Sequence, residues 1–311
     1  MIRRGLVGLV VLAALSVSTI WLLKTGIYGL TVFVFLPVLL GGLASWVGRP
    51  ASSGQAARYG ALTALVALFS LLFLGVEGLV CIVMCVPLAM PLGALGGWLM
   101  YRLTSARVAA GGGLAMLLLI PAGAGWDVTA RPDLFEVTTA MEIAAPPERV
   151  WRYVVSFPDL PPPEEWLFRA GVAYPVRTRI EGTGAGATRY CELSTGALVE
   201  PIEVWDEPRL LRFRVTETPA SMHEWSPYGE IAPKHLHGYL VSRFGQFRLT
   251  PMASGGTLLE GTTWYQHGLW PARYWRWWSD TIVHQIHGRV MRHVKALAEA
   301  GARRSIAIEH P

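Results

Sequence analysis

The chain reads as an α-helical membrane bundle followed by an α+β domain, and three observations lead there. Residues 1–128 carry nine formally charged side chains, whereas residues 129–311 carry forty, twenty basic and twenty acidic. Five apolar runs fill the first part, each close to the length of about 20 residues that crosses a bilayer core as a helix. The second part strings short β-type stretches between turns and closes on a long helical stripe. The expected boundaries are 1–128 for a transmembrane anchor bundle and 129–311 for a second domain.

The apolar runs are Gly5–Leu23, Ile27–Val47, Tyr59–Val76, Gly78–Met100 and Val108–Gly125. Arg3 and Arg4 ahead of the first have the look of a secretory signal, but four similar runs follow, which favours a resident anchor. Lys24-Thr25-Gly26, the polar stretch from Arg49 to Arg58, and Arg102 to Arg107 separate the runs. Glu77 interrupts apolar sequence from Ala61 to Tyr101 and is read as a turn at the membrane interface. A carboxylate inside the membrane would instead be a functional candidate. Trp21, Trp46, Trp98 and Trp126 fall near run ends, as interfacial aromatics do. With the N-terminus in the cytoplasm, Arg3, Arg4, Arg49, Arg58, Arg102 and Arg107 lie inside and Lys24 outside, as the positive-inside rule favours. Five crossings then export everything after Trp126. Were Leu79–Leu99, with Pro87 and Pro91, re-entrant, the second domain would return to the cytoplasm. Cys81 and Cys85, one helical turn apart, read as small soft packing residues rather than as a metal or redox site. Gly41-Gly42, Gly93, Gly96-Gly97 and Gly111-Gly112-Gly113 suit close helix packing.

In the second domain, Phe135–Ala144 alternates as a strand does. Pro146-Pro147-Glu148 then opens a helix, with proline suited to the first turn and Glu148 near the positive helix end. Prolines 158 and 161–163 stop it, and Glu165–Ala170 reads as a short helix. Val176–Glu181, Thr188–Thr195, Leu198–Asp206, Leu210–Glu217, Tyr239–Thr250 and Thr257–Gln266 read as strands joined by glycine- and proline-marked turns. Pro271 opens a helix to about Ala300, whose Ile282, Ile286, Val290, Val294 and Leu297 follow three- and four-residue steps. An antiparallel sheet closed by that helix leaves a groove between them. Gly182, Gly184 and Gly186 lack a βαβ context and a following Gly-Lys-Ser/Thr, so they mark a hairpin and no cofactor is expected. The domain is formally neutral, which argues against nucleic acid as a partner. Its sole cysteine, Cys191, excludes an internal disulfide.

Seven of the eight histidines fall between His223 and His293. His284 and His287 lie beside the stripe of the last helix, with Asp280 one turn before His284 to orient it. Glu260 on the last strand completes a candidate acid–base set for catalysis. The candidate ligand-binding residues are His223, Glu224, Trp225, His235, His237, Glu192, Trp264, Trp278 and His287. Glu192, Glu200 or Glu260, if turned inward, needs a partner or a raised pKa, and Arg189, Arg212, Arg214 and Arg248 are the bases at hand. Packed, satisfied histidines and outward salt bridges are the competing reading of the same residues. No metal site is expected. His235, His237, His284 and His287 are the residues the fold would have to gather for one. Ser221 near His223 lacks a Gly-x-Ser-x-Gly elbow, so no nucleophile stands out.

Phe135–Pro161 (FEVTTAMEIAAPPERVWRYVVSFPDLP), Gly182–Gly196, Val199–Val215, Gly255–Gln266 and the long last helix together resemble the START-like, helix-grip (SRPBCC) superfamily of polyketide cyclase/dehydrase-like and lipid-transfer proteins. In particular they resemble its bacterial membrane-anchored members. The resemblance implies a cavity between a curved sheet and the closing helix that holds lipids, polyketides or other hydrophobic molecules. It implies no particular reaction and no catalytic residue. Pro219–Lys234 departs from compact members, and its Met222, His223, Trp225 and Tyr228 are candidates for a lid. The leading expectation is a binding or carrier protein for a hydrophobic small molecule or lipid. An enzyme working on such a ligand, and a membrane assembly or signalling protein, are the alternatives. The expected location is the bacterial inner membrane, multi-pass, with the second domain extracytoplasmic.

Overall fold

Apolar length drives the first part of the chain into helices. The computed structural model describes residues 2–105 and 118–309. It divides into two compact units, one of Met1–Arg131, Glu224–His235 and Gly268–Tyr274, the other of Pro132–His223, Leu236–His267 and Trp275–Pro311.

The first unit contains α1 (Ile2–Thr25), α2 (Leu36–Gly48, preceded by a π-helical turn at Thr31–Phe35), α3 (Ser53–Phe73), α4 (Leu79–Ser105) and α5 (Leu119–Thr129). Among the described residues, four helical stretches are long and apolar enough to cross a membrane: Arg4–Thr25, Thr31–Gly48, Ser53–Phe73 and Leu79–Thr104. Of the expected fifth run, residues 108–117 lie outside the described residues, and the remainder passes into α5. Leu6, Val10, Val66 and Phe73 are between 61% and 66% exposed, a cost in water that a lipid surrounding removes.

Glycine sets how closely these helices pack. A Cβ on Gly41 or on Gly60 would lie 2.0 Å from the Gly93 carbonyl oxygen, so α2, α3 and α4 meet backbone to backbone there. Helix α4 is continuous through Pro87 and Pro91. A turn at residues 74–78 joins α3 to α4 and carries Glu77, which is buried rather than solvated. Helix starts are satisfied from a distance as well as locally. Ser52 accepts from Gln55 N at 3.2 Å ahead of α3. Asp127 of α5 accepts from Leu30 N and Thr31 N at 2.7 and 3.0 Å, where the second span begins and four N–H groups lack intrahelical partners. Two short strands, Glu224–Ser226 and Gly229–Ile231, form a hairpin in this unit.

The second unit is built on β1 (Leu134–Ile143), β2 (Pro175–Glu181), β3 (Thr188–Leu193), β4 (Gly196–Asp206), β5 (Leu210–Arg214), β8 (Leu240–Pro251) and β9 (Thr257–His267), the short hairpin supplying β6 and β7. These seven strands pair antiparallel in the order β1-β9-β8-β5-β4-β3-β2. Helix α6 (Pro147–Val155) follows β1, α7 (Trp166–Arg169) follows it, and α8 (Ala272–Glu309) closes the chain. Trp151, Val150 and Val154 of α6 and Val290, Met291 and Val294 of α8 share one core with Leu211, Leu249 and Leu259 of the sheet. Each such fully buried side chain stabilises by about 1.5–3 kcal/mol relative to an exposed one. The mixed α+β architecture and the long last helix are those expected from the sequence.

Candidate functional site

Beside that core a partly open cavity of ≈ 140 Å³ lies between the sheet and α8. Strands β3, β4, β5, β8 and β9 line one side, α8 from Ile282 to Val290 another, and Thr218–Ser221 borders it. The walls are mostly apolar, with Leu193, Phe213, Phe244, Phe247, Ile282 and Ile286 among them. Strand alternation explains the lining of β3: Arg189, Cys191 and Leu193 point inward, whereas Glu192 is turned out to pair with Arg177 at 2.6 Å and Arg179 at 3.4 Å. Burial pushes the Cys191 thiol up to about 12.

Two polar features of the cavity wall bear most directly on its chemistry. The first is the ion pair of Arg189 with Glu200, residues directly opposite each other across β3 and β4. Both side chains are almost fully buried, at 3% and 4% exposure. The guanidinium also lies over the Phe213 ring, 5.3 Å from its centroid, and over Phe247 at 5.7 Å. Burial raises the Glu200 carboxyl above its ordinary value, opposed by the charge and hydrogen bond of Arg189. The second group is His287. Its Nδ1 lies 3.0 Å from Thr139 Oγ1 and its Nε2 2.8 Å from Thr263 Oγ1. Burial, with a smaller contribution from His284, lowers its pKa to about 4, so the ring is neutral at pH 7. Tyr265 also lines the cavity and donates its hydroxyl to Asp280 at 2.5 Å.

The expected histidine pair is brought together, with the Thr139 hydroxyl 2.8 Å from His284 Nδ1 as well. Asp280 does not orient His284; it accepts from Tyr265 and pairs with Arg276 at 3.2 Å. Glu260 lies on the face of β9 opposite Leu259, Gly261 and Thr263 and does not line the cavity, because strand parity turns it away. His284 is exposed and likewise absent from the lining. Trp264 shares the outer face of Glu260 and donates its indole N–H to Glu136 at 2.9 Å. Trp278 of α8 is half-buried against Trp277. His223 is exposed, its Nε2 3.2 Å from Ser194 O, and His237 is exposed. Glu224, Trp225 and His235 belong to the helical unit, so of the candidate lid only its first residues, Pro219 to Ser221, border the cavity. The four histidines weighed for a metal are thereby divided between two units. Thr139, Thr263 and the aromatic walls were not singled out from sequence. His287 stands among the sequence candidates, and Glu200 and Arg189 are each among the acids and bases weighed there, but not as one pair.

The sequence profile of the family "Polyketide cyclase / dehydrase and lipid transport" matches residues 135–262. No curated protein matches the chain. Among solved structures, a protein from Nitrosospira multiformis is similar at 16% identity, covering 54% of this chain and 99% of that chain at a TM-score of 0.34. Truncated norcoclaurine synthase from Thalictrum flavum is similar at 11% identity, covering 54% and 96% at a TM-score of 0.35. The Aha1 dimer from Colwellia psychrerythraea stands at 12% identity, 54% and 98% coverage, and a TM-score of 0.32. Residues 135–262 are therefore a polyketide cyclase/dehydrase-like (SRPBCC) domain.

Proposed function

We propose that the protein is a membrane-tethered binding or carrier protein for a hydrophobic small molecule or lipid, with residues 1–128 as the anchor and 129–311 as the ligand-binding domain. The observation that carries this reading is the apolar cavity between the sheet and α8. Its size refines the ligand. A dry cavity of about 150 Å³ accepts a benzene-sized molecule, so ≈ 140 Å³ admits one ring or a short branched chain without rearrangement. The loop charges support a cytoplasmic N-terminus in a bacterial inner membrane, and five crossings then leave the binding domain outside. A reporter fused to the C-terminus reads that side directly.

His287 is the group an enzymatic reading would use, since it is a neutral imidazole at the cavity wall. Both its nitrogens are already engaged by threonine hydroxyls, which favours holding a ligand over moving a proton. Organic extraction of the purified full-length protein, followed by mass spectrometry, should recover a stoichiometric apolar molecule. Repeated recovery of folded protein that contains none, and binds none from a lipid extract, refutes the proposal.

A further inference from the structure

The first unit carries a cluster that the cavity does not use. Glu77, in the turn before α4, Cys81, in its first turn, and His235, in the 3₁₀ turn Lys234–Leu236, each offer a ligand atom, and these atoms lie within 4.8 Å of one another. We propose that Glu77, Cys81 and His235 form a binding site for a first-row divalent cation, zinc by the nature of the donors.

The donor set is one thiolate, one imidazole and one carboxylate. Zinc accepts all three, whereas calcium and magnesium prefer oxygen ligands throughout. His235 Nδ1 is 3.3 Å from Glu77 Oε2 yet makes no hydrogen bond, although the ring is only 8% exposed. Two ligands bound at about 2.0–2.1 Å in a tetrahedral site stand roughly that far apart. The other ring nitrogen, Nε2, lies 2.8 Å from Cys81 Sγ. The imidazole thus turns a nitrogen to each of the other two donors, and one ring nitrogen, the thiolate and the carboxylate lie close enough together to share one cation.

The surroundings favour a cation. Tyr28 donates to Glu77 Oε1 at 2.6 Å and fixes that carboxylate. Glu224, itself 1% exposed, adds a second carboxylate beside Cys81 through the backbone N–H of Cys81 at 3.0 Å and of Val80 at 3.2 Å. Gly78 makes that approach possible, because a Cβ there would lie 2.0 Å from Glu224 Oε2. Among the described residues, no lysine or arginine pairs with either carboxylate. Two buried acids beside a cysteine are costly to ionise alone, and a dication offsets that cost.

The test uses full-length protein in detergent, purified through a tag free of histidine and without chelators. Elemental analysis should find stoichiometric zinc, and titration of metal-depleted protein with Co²⁺ should give a thiolate-to-cobalt charge-transfer band. Cys81→Ser should abolish the band, and His235→Gln should lose the bound zinc. Cys85→Ser, one turn along α4, should keep both. Wild-type protein that holds no metal and takes up neither Zn²⁺ nor Co²⁺ overturns the proposal, as does a thiolate band that survives Cys81→Ser. If a variant fails to fold, the wild-type zinc content and cobalt spectrum decide alone.

Discussion

Replacing Glu200 by glutamine separates the two roles of the buried ion pair. The substitution keeps the volume and removes the charge. It leaves the Arg189 guanidinium at 3% exposure, facing the rings of Phe157, Phe213 and Phe247 and one backbone carbonyl, that of Val155 at 3.3 Å. A guanidinium cannot shed its proton to escape, since its pKa exceeds about 12. Breaking a buried pair from this side should therefore cost about 3–5 kcal/mol, which for a domain of this size lowers Tm by roughly 10 °C or more. The reverse change, Arg189→Met, leaves a carboxyl that burial already pushes upward. That group can neutralise itself by binding a proton, so the loss should be smaller. Its sign with pH also differs. A carboxyl raised in the folded state binds more protons there than in the unfolded chain, so Arg189→Met should regain stability as pH falls toward the ordinary carboxyl range.

The double variant Arg189→Met/Glu200→Gln has no buried charge and should be more stable than Glu200→Gln alone. Urea unfolding of full-length protein in detergent, followed by tryptophan fluorescence at pH 7 and pH 5, reads all four chains. A Glu200→Gln cost below about 1 kcal/mol, or a double variant that loses the sum of the two single losses, contradicts a coupled buried pair.

His287 makes acid a liability. Its pKa of about 4 in the fold lies below the ordinary 6.5, so between those values the unfolded chain takes up a proton that the fold excludes. His287 should contribute a loss of about 2 kcal/mol in stability from pH 7 to pH 5, so His287→Gln should shift the pH slope by that amount relative to wild type; equal slopes in the urea midpoints contradict it. Leu193→Trp should fill the cavity and displace the co-extracted molecule while costing about 1–3 kcal/mol from overpacking, and mass spectrometry that recovers as much ligand as from wild type argues against the cavity as the site. Gly60→Leu should force α3 away from α4, because even a Cβ lies 2.0 Å from Gly93 O; a thermal shift in detergent that shows no loss would count against the close crossing.

How much of this was readable depended on how far apart the partners stand. On β3 the two-residue period sets Arg189 with Cys191 and Leu193 on one face, which is a local pattern; which acid stands opposite Arg189 depends on the register with β4, and that register selects Glu200. Thr139 could not be found that way. It meets His284 and His287 because the edge strand β1 pairs with β9 and α8 packs over them, contacts that join residues 145 and 148 positions apart. Sequence order alone places Glu224 and His235 with the cavity, because they lie among the histidines of the second domain. Their true partners lie in the helical part, 143 positions from Glu224 to Cys81 and 154 from His235 to Cys81. One signal did point there. Helix α4 opens Gly78-Leu79-Val80-Cys81, with no serine, threonine, asparagine or aspartate at its start to accept the free N–H groups. The second span, opening at Gly29-Leu30-Thr31, shows the same lack of an acidic cap and draws on Asp127. An apolar helix without a local cap cannot leave its first amides dry, so it must recruit an acceptor from elsewhere in the chain. Glu224 fills that need for α4, and in doing so it brings the His235 segment against Glu77 and Cys81.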